Sequence, residues 1–80
     1  MALLTLLSRP ECGLCEDFLE ELRVFGAHHA LPELVVMDVD SDPELARRHG
    51  LDVPVLLLDG LPVCRHRLDG AELLRLLRPR

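Results

Sequence analysis

The chain has 80 residues, enough for one domain (1–80) with a modest core and too few for a second independent one. Hydrophobic residues make up 49% of it with charge interspersed throughout, which is the composition of a folded globule and excludes a disordered segment. A net charge of −5, no basic run and no aromatics beyond Phe18 and Phe25 argue against nucleic acid as a partner, and the absence of Lys excludes Schiff-base and P-loop lysine chemistry.

In chain order, the first apolar stretch, Met1 to Leu7, has no basic n-region and is too short for a signal or membrane segment. Its continuous apolar run from Leu3 to Leu7 reads as a strand buried on both faces. From Gly13 to about Ala27, Leu14, Phe18, Leu19, Leu22 and Phe25 recur at three- and four-residue spacing, opposite Glu16, Asp17, Glu20, Glu21 and Arg23. That pattern predicts an amphipathic helix with an acidic first turn suited to the helix dipole. Leu34 to Val39 is a second apolar, β-branched run of strand length.

Ser41-Asp42-Pro43-Glu44 supplies an N-cap, a proline for the first helical position and a capping-box glutamate, with Gly50 as the C-terminal stop of a two-turn helix. Val55 to Leu58 and Leu61 to Arg65 flank Asp59-Gly60, a two-residue hairpin signal that makes these strands antiparallel neighbours. Asp69 with Glu72 opens a last helix carrying Leu73, Leu74, Leu76 and Leu77 before Arg78 and Pro79. The order is β-α-β-α-β-β-α. A right-handed crossover makes the first two strands parallel, the hairpin completes a four-stranded mixed α/β sheet, and strands with so little polar alternation need helices on both faces.

Without an export signal the cytoplasm is the expected compartment, where a Cys-x-x-Cys pair points to redox catalysis or metal binding. Cys12-Gly13-Leu14-Cys15 falls directly after the first strand and at the start of the first helix. Cys12 is then at or beside the N-cap, where unpaired backbone N–H groups and the positive end of the helix dipole favour a thiolate and lower its pKa. Cys15, one turn further in and on the apolar side with Leu14, Phe18 and Leu19, should be more buried and more often protonated. Cys12 is therefore the expected nucleophile and Cys15 the resolving thiol. Glu11 and Glu16 oppose thiolate formation, and Arg9 supports it.

Over nearly its full length the sequence resembles the glutaredoxin-like branch of the thioredoxin superfamily, most of all the small bacterial glutaredoxin-like proteins with a Cys-x-x-Cys site. The resemblance is carried by Ser8 through Cys15, by Asp38-Val39-Asp40 with Asp42-Pro43-Glu44-Leu45, by Val53-Pro54-Val55 and by Leu58-Asp59-Gly60. It implies a thioredoxin-like fold, a thiol-disulfide oxidoreductase activity and a cis Pro54 facing the cysteines. The Val53 backbone is then turned toward the sulfurs, where it can pair with an extended substrate. Arg9 matches a basic position near the glycine carboxylate of glutathione. Where glutaredoxins carry a Gly-Gly turn, this chain has Arg67-Leu68-Asp69-Gly70, and Asp69 reads as a helix cap.

Cys64 reads as a semi-buried strand residue. It lies two residues from His66 and so would share one strand face with it, which makes Cys12, Cys15, Cys64 and His66 a zinc-binding alternative. A redox-inactive interaction module on the same fold is the other alternative. His28, His29 and His49 fall near helix ends, and Asp38, Asp40, Asp42 and Glu44 read as strand-end and cap residues. The expected protein is a monomer needing no metal or organic cofactor. Its partners are a disulfide-bearing protein or small molecule, with glutathione or a thioredoxin reductase as electron donor.

Overall fold

In a computed structural model, which describes residues 2–78, four strands form one mixed sheet. They are β1 (Leu3–Ser8), β2 (Glu33–Asp38), β3 (Val55–Leu58) and β4 (Leu61–Arg65), with helices α1 (Gly13–His28), α2 (Pro43–His49) and α3 (Gly70–Leu77). The order across the sheet is β2-β1-β3-β4. β1 and β2 are parallel, whereas β1–β3 and β3–β4 are antiparallel. The expected element order is thus observed, with one addition: a 3-10 turn over Val39–Ser41 between β2 and α2. Met1, Pro79 and Arg80, including the expected stop after the last helix, lie outside the described residues.

Alternation along the central strands divides the core in two. Leu4 and Leu6 of β1 and Leu56 of β3 pack with Phe18 and Leu22 of α1 and Leu73 of α3. On the opposite face Leu7, Val55 and Leu57 pack with Val39, and Leu45 of α2 closes over them. Both faces are covered, which is why β1 and β3 carry no polar stripe. Among the described residues no helix is long and apolar enough to cross a membrane.

Local chemistry accounts for the boundaries. Asp42, not Ser41, caps α2: its carboxylate accepts the Glu44 N–H at 2.8 Å, while the Ser41 hydroxyl donates to the Asp38 carbonyl at 2.7 Å. The expected capping-box glutamate turns away, since Glu44 pairs with Arg47. Val39 falls in the 3-10 turn and not in β2, because the Asp38 side chain accepts the Asp40 N–H at 2.9 Å and curls the chain. Asp69 caps α3 as expected, accepting the Glu72 N–H at 3.0 Å.

The hairpin turns on Asp59 (φ 50°) and Gly60 (φ 86°), the left-handed pair that a two-residue connection of this twist demands. A register shift follows: Leu56 opposes Cys64 but Leu57 opposes Pro62, so Val63 is an extra residue on β4. Pro62 is tolerated there because β4 is an edge strand.

Phe18 lies one turn beyond Cys15, is fully buried and anchors α1 to the sheet. Phe18→Ala is expected to cost about 3–5 kcal/mol, read as a lower urea midpoint with the denaturant slope unchanged.

Candidate active site

The site begins where β1 runs out. Ser8 ends the strand, Pro10 and Glu11 turn the chain, and α1 starts at Gly13. Glu11 adopts φ 58°, a left-handed conformation uncommon for a side chain with a β-carbon. That turn delivers Cys12 to the N-cap in an extended conformation (φ −109°, ψ 104°). Its sulfur accepts the Cys15 N–H at 3.2 Å, and its carbonyl accepts the Glu16 N–H at 3.1 Å. Cys12 thereby fills the capping role usually held by Ser, Asp or Asn.

Cys12 and Cys15 are joined as a disulfide, with Cα atoms 5.2 Å apart. Cys12 is partly exposed and Cys15 is buried at 5% exposure, the difference in burial that the sequence predicts for the pair. A β-carbon added to Gly13 would meet nothing within 4 Å, so the side of the motif that faces outward is open.

Beside the pair lies a cleft of about 100 Å³, walled by Arg9, Glu16, Leu19 and Val36. That is well below the roughly 300–1,000 Å³ of pockets that enclose a small ligand. Two larger clefts, of about 320 and 450 Å³, are not lined by Cys12 or Cys15: one runs along α2 and β4, where Cys64 lines it, and the other lies between α1 and the segment leading into α3. The sulfurs therefore face an open surface with a shallow recess.

Val53 and Pro54 lie at the same end of the sheet. Val55 pairs with Leu7 across the antiparallel β1–β3 ladder, so the residues before β3 sit against the end of β1, where the cysteine loop begins. The Val53–Pro54 peptide is cis, as the resemblance implied. Pro54 is fully buried, and its carbonyl accepts the His66 N–H at 2.8 Å. Val53 packs its side chain on the α2-side core. Among the described residues its N–H and carbonyl take no backbone partner.

Arg9 lines the same recess as the two cysteines, but its guanidinium is engaged elsewhere. Nε and Nη2 donate to the Asp40 carboxylate at 2.8 and 3.2 Å, and Nη1 donates to the Gly50 carbonyl at 2.9 Å. The Arg9 guanidinium holds the Asp40 carboxyl below its ordinary pKa. Arg9, which the sequence places on the loop approaching the cysteines, is thus ion-paired with Asp40. From the sequence alone Asp40 reads only as a strand-end or cap residue. A pairing between residues 31 apart leaves no local pattern by which to find it.

The zinc-binding alternative does not assemble. β4 stops at Arg65, and His66 turns into the left-handed region at φ 68°, so Cys64 and His66 do not share a strand face. Cys64 lies on the edge strand, separated from β1 by β3. Among the described residues no group of three or more His, Cys, Asp or Glu side chains is arranged to hold a metal ion.

The sequence pattern of the glutaredoxin-like domain (DUF836) matches residues 3–78. The chain belongs to this glutaredoxin-like family. No curated protein matches it. Among solved structures, protein Ne2328 from Nitrosomonas europaea is 30% identical, with a TM-score of 0.80 over 90% of this chain and 86% of that one. Protein XcR50 from X. campestris is 28% identical, with a TM-score of 0.60 over 95% of this chain and 99% of that one. A malarial protein, 18% identical, shares the fold, with a TM-score of 0.64 over 96% of this chain and 93% of that one. The architecture of this glutaredoxin-like chain is thus a thioredoxin-like fold with a Cys-x-x-Cys pair at the first helix start.

Burial, ahead of a weaker opposing hydrogen bond from the Asp69 N–H, pushes the Cys64 thiol above its ordinary pKa. In the oxidised protein Cys64 is the one free thiol. Iodoacetamide with mass-spectrometric readout is expected to label Cys64 slowly at neutral pH, the rate rising only on the alkaline side of the ordinary cysteine range near 8.5.

Proposed function

We propose that this glutaredoxin-like protein is a thiol-disulfide oxidoreductase in which Cys12 attacks and Cys15 resolves. The observation that carries the reading is the unequal pair at the helix start: an N-capping, partly exposed sulfur and a buried one a turn deeper. In the reduced protein, the same amides and dipole that point at Cys12 favour its thiolate.

The electrons balance over two exchanges. The Cys12 thiolate attacks one sulfur of a substrate disulfide, forms a mixed disulfide and expels the other sulfur as a thiolate that takes up a proton. Cys15, losing its proton, then attacks the Cys12 sulfur, closes the intramolecular disulfide and releases the second substrate thiol. The substrate gains two electrons and the protein loses two. A thiol reductant, either glutathione or a thioredoxin reductase, returns the pair to the dithiol state.

The open surface around the sulfurs suits a disulfide presented on an extended segment or a small flexible molecule better than one buried in a pocket. The backbone of Val53, at the same end of the sheet and without a backbone partner among the described residues, offers a donor and an acceptor for strand-like pairing with such a segment. Val53 and Pro54 are accordingly the proposed substrate-positioning residues. We place the reaction in the cytoplasm, where thiol reductants are abundant.

A Cys15→Ser variant offered a disulfide substrate is expected to accumulate a mixed disulfide at Cys12, seen as a mass increase that a reductant removes. Cys12→Ser should give no such adduct and no turnover. An adduct-free Cys15→Ser protein would overturn the assignment.

A further inference from the structure

Three connections meet at the cysteine end of the sheet: the β1–α1 loop with Cys12, the β2–α2 turn with Asp40, and the α2–β3 loop running from Gly50 to Pro54. One side chain touches all three. Arg9 belongs to the first, grips Asp40 of the second with two donors, and donates to the Gly50 carbonyl of the third.

We infer that Arg9 is a positioning residue, a clamp that fixes the cysteine loop relative to the Val53–Pro54 loop, and not the group that binds a substrate carboxylate. The inference rests on the disulfide-exchange reading for its kinetic consequence, but the clamp itself is a structural claim.

Three observations carry it. Of the five N–H donors of a guanidinium, three are committed: the Nε/Nη2 edge holds Asp40 in fork fashion, and Nη1, which the other edge would need, donates to the Gly50 carbonyl. A substrate carboxylate would have to displace Asp40 or sit beside it against like charge. Secondly, the Gly50 carbonyl is at the C-cap of α2, where helix carbonyls lack an intrahelical partner, so the Nη1 bond ties the helix end to a distant loop. Thirdly, Gly50 is not a glycine for conformational reasons, since its φ is −57°. A β-carbon there would run into the Ala46 carbonyl oxygen and approach Arg9 Nη2 to 3.2 Å, so the absent side chain leaves room for the clamp.

An exposed ion pair contributes little to global stability, so the clamp's effect should be sought in geometry. Lys cannot replace it, because a single ammonium does not span a carboxylate and a separate carbonyl with the same fixed fork.

The test compares wild type, R9K, R9Q, D40N and R9Q/D40N by two readouts. The first is amide hydrogen exchange of the folded protein, which needs no activity. The clamp predicts exchange that is about threefold or more faster in every variant, both in residues 9–13 and in residues 50–55, with the double variant no worse than the singles. Acceleration confined to residues 9–13, or none, overturns it. The second readout is kcat and KM for two disulfides, glutathione disulfide, which bears carboxylates, and bis(2-hydroxyethyl) disulfide, which bears none. The clamp predicts that R9Q and D40N each lower kcat on both by a similar factor, about tenfold, with KM unchanged within about twofold. A KM increase in R9Q for glutathione disulfide alone, with D40N unaffected, overturns it in favour of carboxylate binding. Should wild type reduce neither disulfide, the proposed activity falls and the exchange data alone decide the clamp.

Discussion

A backbone amide pointing at a sulfur, Cys15 N–H to Cys12 Sγ at 3.2 Å, ties the chemistry of this protein to its architecture. The first N–H groups of any helix lack partners, and something must accept from them. Here the acceptor is the side chain proposed to react. The group that completes the helix is also the group on which the helix dipole and its free amides act most strongly. Moving Cys12 off the N-cap would forfeit the capping bond.

Everything around that contact holds it in place. β1 is a central strand, paired on both sides, so its end is a rigid point of departure. Glu11 takes up a left-handed conformation, a strain of order 1–3 kcal/mol that the surrounding structure offsets, and thereby aims Cys12 at the helix start. Phe18 and Leu22 sink the following turns of α1 into the core beneath α3, so the helix cannot swing away from the strand that feeds it. The cysteine end of the sheet can then remain open, because the rigidity is supplied from behind.

Much of this was legible in the sequence. Apolar runs and the Asp59-Gly60 turn marked the strands, and β3 and β4 fall on the expected residues. Three- and four-residue spacing marked α1, and the place of Cys12 before it followed from the end of one pattern and the start of the next. Local signals were least secure where two polar residues competed for one job. Ser41 and Asp42 both qualified as a cap, and a neighbouring carbonyl drew the serine away. Strand periodicity similarly put Cys64 and His66 on one face, but β4 ends between them. The Arg9–Asp40–Gly50 contacts were invisible for a different reason. They join residues brought together only by the crossing of three loops, and no propensity or spacing rule encodes such an encounter.

If the helix start acts on Cys12 as proposed, its sulfur is unusually acidic in the reduced protein. The most direct measurement is the pH dependence of Cys12 alkylation in a reduced Cys64→Ser background, followed by peptide mass spectrometry. The expected midpoint is clearly below the value of about 8.5 for a free cysteine. A midpoint at or above that value would contradict it.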